Sequence, residues 1–160
     1  SLKGPLHGGA NEEVMRMMNK IKKPENALKW INKALDNKDV VMGFGHRVYK
    51  KGDSRVPTME KYFKNVSKIK SDKKFHKIYD IVKKVMIERK DIHPNVDYPT
   101  GPTYNLMGFD TDFFTPIFVI SRITGWSAHI MEQHTSNKLI RPLSKYNGEK
   151  HRKVLPLNQR

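Results

Sequence analysis

The sequence predicts an all-α fold. Apolar residues recur at helical spacing in five segments, no series of alternating apolar and polar residues indicates strands, and stretches rich in Gly and Pro separate the helical segments. At 160 residues, the chain can form one domain with a core of its own or parts of two domains.

The first two helices are predicted between residue 11 and about residue 35. Asn11 is a suitable N-cap, and the two acidic residues that follow it suit the positive end of a helix dipole. Pro24 ends the first helix and can begin the second. The residues expected on the buried faces are Val14, Met17, Met18 and Ile21 in the first helix, and Ala27, Leu28, Ile31 and Leu35 in the second.

The lysine-rich stretch from residue 58 to residue 90 is predicted to form two amphipathic helices with basic outer faces. The outer lysines are interpreted as a solvated surface. The residues expected to be buried are Met59, Tyr62, Phe63, Val66 and Ile69 in the first of these helices, and Phe75, Ile78, Val82 and Val85 in the second.

The last third of the chain changes in character. The segment HPNVDYPTGPTYN, residues 93–105, contains three prolines and a glycine, which predicts a loop or a broken turn. A more apolar helix follows from Thr115 and is begun by Pro116, and residues 141–160 are predicted to form an irregular arm. The shift in composition suggests a second structural environment after about residue 112.

The net charge of +15 indicates attraction to an anionic partner, unless acidic residues elsewhere in a longer protein balance it. Nucleic acid, an acidic membrane surface and a polyphosphate or polycarboxylate ligand all fit this charge. No apolar run approaches the length of a membrane span and no segment resembles a signal peptide, so we expect a cytoplasmic protein without a membrane partner. The absence of Cys excludes disulfides and thiolate metal sites.

Three predicted loops contain unusual polar residues: His7 in GPLHGG, His46 in GFGH and Asp97 in NVDYPTG. A His flanked by glycines has few neighbours to pack against, so binding a molecule that approaches the backbone explains it better than packing does. A structural role is the alternative for each His, and Asp97 could be a turn former or a cap.

Three arginines lie in comparable settings: Arg55 after GDS, Arg122 inside the apolar helix, and Arg141 before a proline. Burial of a guanidinium group without a partner is costly, so we expect Arg122 to pair with an anion. A ligand carboxylate would accept two parallel hydrogen bonds from it.

Other site types fit the same residues less well. Two His and one Asp could form a metal-binding triad, but the flanking glycines and arginines favour an anionic organic ligand, so no metal is expected. GFGHRV lacks the third glycine of a dinucleotide-binding fingerprint. The basic helices contain no recognised nucleic-acid-binding motif, which leaves a basic helical module that binds anions or nucleic acid as a remote alternative.

The order of GPLHGGAN, GFGHRVYK, DSR, NVD, SRITGW and RP along the chain resembles that of the citrate synthases, in particular the shorter bacterial-type enzymes. The resemblance implies a Claisen-type condensation of acetyl-CoA with oxaloacetate, followed by hydrolysis of the citryl thioester. It implies a homodimer without a cofactor, since the coenzyme A thioester is a substrate. A 2-methylcitrate synthase, which uses propionyl-CoA with the same machinery, is the alternative.

The resemblance also implies roles for individual residues. His7 would hydrogen-bond the thioester oxygen, His46 would polarise the oxaloacetate carbonyl, and Asp97 would remove a proton from the acetyl methyl group. Arg55, Arg122 and Arg141 would bind carboxylates, the last of them in the neighbouring subunit's site. The residues expected to meet coenzyme A are Val41, Met42, Gly43, Gly45 and Lys50.

By the same resemblance, residues 1–10 would end a large domain at a hinge, residues 11–112 would form a small mobile domain, and residues 113–160 would return to the large domain. Two positions depart from the common family pattern, since Ser54 stands where Pro is frequent and Pro99 stands where an aromatic residue or Ser is frequent. Most of the large domain would precede residue 1, so we expect the 160-residue chain alone not to turn over substrate.

Overall fold

The computed structural model describes residues 9–160, and the part of the chain that it describes is all-α, as predicted. Its only β-type pairing in these residues is an isolated bridge between Phe44 and Pro94. The six α-helices in this range are α1 (Ala10–Ile21), α2 (Pro24–Asp36), α3 (Val56–Ile69), α4 (Lys74–Lys90), α5 (Asp97–Met107) and α6 (Phe114–Thr135). Short 3₁₀ turns occur at Thr111–Phe113 and Leu157–Gln159.

The described chain forms two compact units, residues 9–125 and residues 126–160. The expected assignment of residues 1–10, 11–112 and 113–160 to parts of a large and a small domain stays a prediction. The second unit contains the end of α6 and an arm without α-helix after Thr135, as predicted, and its residues are exposed. No helix in the described part of the chain is long and apolar enough to cross a membrane.

Helix α1 confirms its predicted buried face, because Val14, Met18 and Ile21 are almost fully buried. The predicted N-cap is wrong: Gly9 occupies that position with φ of 69°, and Asn11 lies within the first turn. The left-handed conformation of Gly9 lets the helix begin two residues earlier than the side-chain signal indicates.

Helix α1 is also joined to the start of α6 through a buried carboxylate. Glu12 is only 2% exposed, and it accepts hydrogen bonds from the backbone N–H of Thr115, at 3.3 Å, and from the hydroxyl group of the same residue. The first N–H groups of a helix have no hydrogen-bond acceptor within the helix. Glu12, from a distant part of the sequence, is the acceptor for one such N–H group of α6.

Two predicted faces need correction. In α2, Leu28 is 54% exposed and Ala34 is buried instead, so the buried face of the helix that packs against α4 is rotated slightly from the predicted one. In α3, Tyr62 and Ile69 are 57% and 79% exposed, whereas Phe63 is fully buried. The predicted face of α4 is confirmed, since Phe75, Ile78, Val82 and Val85 are all buried.

The predicted loop at residues 93–105 is wrong in its second half, because Asp97–Met107 is helical. Pro99 lies in the first turn, where its missing N–H would have had no helical partner. Pro102 lies inside the helix. Gly101 allows α5 to approach α1 closely, since a Cβ atom at this position would lie 2.8 Å from the backbone oxygen of Asn11. Packing of this kind outweighs the local proline signal.

A cluster of aromatic rings anchors the start of α5 in the core. The rings of Tyr79 and Tyr98 stack with centroids 4.4 Å apart, and Phe44 and Phe63 pack against the pair. The hydroxyl group of Tyr98 donates a hydrogen bond to the backbone oxygen of Tyr79 at 2.9 Å. Burial raises the pKa of Tyr98 well above its ordinary value. Because Tyr98 directly follows Asp97, this anchor fixes the backbone of a predicted functional residue.

Candidate active site

Two loops that are distant in sequence are hydrogen-bonded to each other beside the core. The N–H of Gly45 donates to the backbone oxygen of His93 at 2.9 Å, and the N–H of Asn95 donates to the backbone oxygen of Gly43 at 2.9 Å. The side-chain amide of Asn95 donates to the oxygen of Gly45, also at 2.9 Å. His46 directly follows one of these loops and Asp97 ends the other, so the structure brings these two predicted residues into neighbouring loops.

The imidazole of His46 is held by its own turn. Its Nδ1 atom accepts hydrogen bonds from the backbone N–H groups of Val48, at 3.1 Å, and Tyr49, at 3.2 Å. Because Nδ1 is an acceptor here, the proton of the neutral ring lies on Nε2. His46 therefore presents an N–H donor, which is the group needed to polarise a carbonyl oxygen.

The guanidinium group of Arg55 is oriented by a buried carboxylate. Its Nε and Nη2 atoms donate to the two carboxylate oxygens of Asp53 at 2.9 and 2.7 Å, and Asp53 is only 4% exposed. The hydrogen bonds from Arg55 lower the pKa of Asp53 to about 2, against the opposing effect of burial. The same pairing raises the pKa of Arg55. A guanidinium has five N–H donors, so this pair leaves others for an anionic ligand.

Asp53 also reaches the loop that carries Asp97. One of its carboxylate oxygens accepts a hydrogen bond from the backbone N–H of Val96 at 3.1 Å. A single buried carboxylate thus connects the arginine and the residue immediately before Asp97. This connection joins a third segment of the chain to the two loops described above.

Asp97 is the first residue of α5, where the positive end of the helix dipole favours a carboxylate. Its backbone N–H donates to the side-chain oxygen of Asn95 at 3.0 Å. The negative charge of Asp97 contributes to the raised pKa of Arg55, after the larger effects of Asp53 and Tyr49, and to the raised pKa of Tyr104, after the effect of burial. The carboxylate therefore lies within the electrostatic reach of Arg55.

The other two arginines are placed differently. Arg122 is exposed, and its guanidinium carbon lies 4.8 Å from the centroid of the Phe118 ring. The expectation that Arg122 is buried is therefore wrong for this structure, because α6 is exposed along most of its length, and its pairing with an anion stays a prediction. Arg141 is exposed in the second unit, and His7 lies outside the described residues. The roles expected of these three residues stay predictions.

The segment expected to meet coenzyme A has little side-chain surface of its own. Val41 is buried, and Gly43, with φ of 85°, has Val14 and Tyr98 so close that a Cβ atom would lie 2.7 and 2.8 Å from their atoms. The space beside Gly43 is therefore filled by the protein itself, and that glycine is required for packing. A hollow of about 300 Å³ lies beside this segment, with Lys38 and Lys90 in its lining.

Sequence reasoning missed three residues of this site: Tyr49, Asp53 and Asn95. Asp53 could have been suspected, because an acid two residues before an arginine in a loop can pair with it. Asn95 and Tyr49 had no such signal, since their partners are backbone atoms of another loop or a ring in the same turn. Among residues 9–160, no group of three His, Asp or Glu side chains could hold a metal ion.

The fold and the site define a class of helical protein in which hydrogen-bonded loops hold an imidazole donor, an arginine and a carboxylate near one another. The sequence model of the family described as "Citrate synthase, C-terminal domain" matches residues 1–143. The chain belongs to the citrate synthase family, whose members are acyltransferases.

Individual relatives agree with this assignment. The chain is 58% identical over 160 residues to 2-methylcitrate synthase 2 of Corynebacterium glutamicum. The matched region covers 100% of this chain and 42% of that protein. It is 52% identical over 155 residues to citrate synthase of Mycolicibacterium smegmatis, covering 97% of this chain and 41% of that protein. The chain thus spans about two fifths of the length of these relatives.

A solved structure supports the same fold. The ternary complex of citrate synthase from the archaeon Thermoplasma acidophilum with carboxymethyl coenzyme A and oxaloacetate matches with a TM-score of 0.80 and 38% identity. The match covers 99% of this chain and 44% of that one. The predicted family and fold are confirmed.

Proposed function

We propose that this chain is the C-terminal part of a 2-methylcitrate synthase, which condenses propionyl-CoA with oxaloacetate and hydrolyses the resulting thioester. The sequence motifs favour acetyl-CoA as the thioester substrate, with propionyl-CoA as the alternative. The comparisons favour the second substrate, because the identity to a 2-methylcitrate synthase, 58%, exceeds the identity to a citrate synthase, 52%. Citrate synthase is therefore the second candidate.

The observation that supports the chemistry is the hydrogen-bonded arrangement that holds His46, Arg55 and Asp97 in neighbouring segments. In the proposed reaction, Nε2–H of His46 donates to the ketone oxygen of oxaloacetate, and Arg55 binds a substrate carboxylate through the donors that Asp53 does not occupy. Asp97 accepts a proton from the α-carbon of the thioester. That carbon then forms a bond with the ketone carbon as the C=O π bond opens, and the ketone oxygen becomes a hydroxyl group, which accounts for the proton removed from the α-carbon. Water then cleaves the thioester to give a carboxylate and the free thiol of coenzyme A.

The reaction needs these groups together because the α-proton of a thioester is a weak acid. A positioned general base contributes roughly 10²–10⁴-fold to the rate. A preorganised donor at the developing oxyanion contributes on the order of 3–4 kcal/mol, and we propose His7 for this role. Holding both substrates in line adds about 7–11 kcal/mol. Arg122 and Arg141 are proposed to complete carboxylate binding, Arg141 in the neighbouring subunit of a homodimer.

We propose that coenzyme A contacts Lys50 and the segment that contains Val41, Met42, Gly43 and Gly45. The hollow of about 300 Å³ beside this segment supports the proposal, because the two lysines in its lining, Lys38 and Lys90, outnumber its one acidic residue, Asp39. Phosphate groups of coenzyme A would complement that charge. The proposal gives a use for part of the net charge of +15, and it favours the enzyme over a nucleic-acid-binding module.

The test is a comparison of propionyl-CoA and acetyl-CoA as substrates of the full-length protein that carries this chain, with oxaloacetate and a thiol reagent. We expect a higher kcat/KM with propionyl-CoA, by roughly 10–200-fold, because one methylene group in a pocket is worth about 1–3 kcal/mol. Preference for acetyl-CoA would identify a citrate synthase instead. The absence of thiol release with either thioester would overturn both candidates.

We also propose that the 160-residue chain alone is inactive. It spans only about two fifths of the relatives' length, and the family site is expected to include residues outside it. Steady thiol release by the purified chain, with both substrates present, would contradict this proposal.

A further inference from the structure

The side chain of Tyr49 contacts two residues of the candidate active site at once. Its ring centroid lies 4.6 Å from that of His46, at an interplanar angle of 35°. The guanidinium carbon of Arg55 lies 5.5 Å from the centre of the same ring. Neither the sequence motifs nor the reaction proposed above assigns a role to this side chain.

The position of Tyr49 does not suggest a role in the hydrophobic core. Tyr49 is 37% exposed and the preceding Val48 is 74% exposed, so these two residues contribute little to core packing. The core aromatic cluster is built from other rings, among them Tyr79 and Tyr98. The ring contacts of Tyr49 lead instead to the two polar groups proposed to bind oxaloacetate.

Hydrogen bonds fix one edge of each of the two groups. The Nδ1 edge of His46 is held by two backbone N–H groups, and one edge of Arg55 is held by Asp53. A ring against the imidazole limits its tilt, and the same ring near the guanidinium attracts the cation through its π face. Tyr49 therefore couples the orientations of His46 and Arg55.

We propose that Tyr49 is a positioning residue for the 2-oxo-dicarboxylate substrate, a role that rests on the function proposed above. It sets Nε2–H of His46 and the outward N–H groups of Arg55 at the separation required by a ketone oxygen and a carboxylate of one small molecule. Without the ring, each group can still reach its own acceptor, but the two are no longer aligned for simultaneous binding. Tyr49 itself exchanges no proton and forms no bond with the substrate.

The test uses the full-length protein with Tyr49→Leu and Tyr49→Phe, and Tyr62→Leu as a matched control. Tyr62 lies on the exposed side of α3 and is 57% exposed. We expect Tyr49→Leu to raise the KM for oxaloacetate and lower kcat, with a combined loss of roughly 10–100-fold in kcat/KM. Tyr49→Phe keeps the π face and is expected to restore kcat/KM to within about threefold of the original value. Tyr62→Leu is expected to match the original protein in both parameters.

A second measurement reports the contact without turnover. In the isotopically labelled full-length protein, the carbon-bound ring protons of His46 should carry a ring-current shift that Tyr49→Leu removes and Tyr49→Phe retains. Equal kinetics for Tyr49→Leu and Tyr62→Leu, in an enzyme that does turn over, would overturn the positioning role. Unchanged His46 shifts in Tyr49→Leu would overturn the contact itself. No turnover by the original protein, with the shift change present, would overturn the proposed function and leave the contact established.

Discussion

The guanidinium group of Arg55 and the carboxylate of Asp53 form two parallel hydrogen bonds, of 2.9 and 2.7 Å, within a span of three residues. The backbone N–H of Arg55 donates to the same carboxylate at 3.0 Å. The carboxylate also accepts the N–H of Val96 at 3.1 Å. Asp53 therefore orients the proposed oxaloacetate-binding arginine and, at the same time, holds the residue that precedes Asp97.

Replacement of this carboxylate should affect substrate binding and stability together. In the full-length protein, we expect Asp53→Asn to raise the KM for oxaloacetate at least about tenfold, because a misplaced binding group can cost up to roughly 100-fold. The free energy of unfolding should fall by about 1–3 kcal/mol, since a buried charge-assisted network loses its anion. Steady-state kinetics and urea denaturation would measure these changes.

The control for this prediction is Asp80→Asn. Asp80 pairs with His76 at 3.5 Å, and its side chain is 57% exposed, so its loss should change stability by less than about 1 kcal/mol. A similar KM for oxaloacetate in Asp53→Asn and Asp80→Asn would show that the pair does not orient Arg55 for binding.

The lowered pKa of Asp53 predicts a specific dependence of stability on pH. The folded-state pKa is about 2 and the ordinary value is 3.8, so folding favours the charged carboxylate. This contribution is fully present above pH 3.8 and is lost as the pH falls toward about 2. It is worth at most about 2 kcal/mol, and less to the extent that water screens the half-exposed guanidinium.

Denaturation of the 160-residue chain at a series of pH values would measure this effect. The difference in unfolding free energy between the original chain and Asp53→Asn should be constant from pH 7 down to about pH 4 and should shrink below it. A difference that stays constant down to about pH 2 would exclude a lowered pKa for Asp53.

Replacement of the proposed base, Asp97, should lower the catalytic rate without a comparable loss of oxaloacetate binding. In the full-length protein, Asp97→Asn should lower kcat by roughly 10²–10⁴-fold, because the amide cannot accept the α-proton. Oxaloacetate should still protect this variant from thermal unfolding, since His46 and Arg55 remain. Asp112→Asn is the control, because the Asp112 side chain is 83% exposed. Thiol release by Asp97→Asn at the original rate would reject the assigned base.

Gly43 connects the core to the loop before His46, and its substitution should lower stability. In Gly43→Ala, the new Cβ atom would lie 2.7 Å from Val14 and 2.8 Å from Tyr98, at a residue whose φ is 85°. Overpacking of this kind costs about 1–3 kcal/mol, to which the left-handed conformation adds strain. Thermal unfolding of the 160-residue chain would show the loss.

Gly125→Ala is the matched control, because a Cβ atom at this helical position meets no atom within 4 Å. It should leave stability unchanged or raise it by up to about 1 kcal/mol, since Ala favours helix over Gly. Equal melting temperatures for Gly43→Ala and Gly125→Ala would contradict the close packing around Gly43.

The amino-acid sequence by itself determined the helical character and most buried faces. Apolar residues at helical spacing predicted the burial of Val14 and Met18 in α1 and of Ile78 and Val82 in α4, because a helix places every third or fourth residue on one face. The order of the short motifs also indicated the family, since the identity and order of the motif residues can be read without knowing where the fold places them.

Only the tertiary structure decided where these residues meet. The three prolines and the glycine of residues 93–105 predicted a loop or a broken turn, but close packing of Gly101 against α1 stabilises a helix from Asp97 onward. Arg122 has apolar neighbours in sequence, yet it is exposed. The hydrogen bonds that Val96 donates to Asp53 and that Asn95 donates to Gly45 join residues 43 and 50 positions apart. Local sequence carries no record of such contacts, because their free energy depends on how separate helices pack.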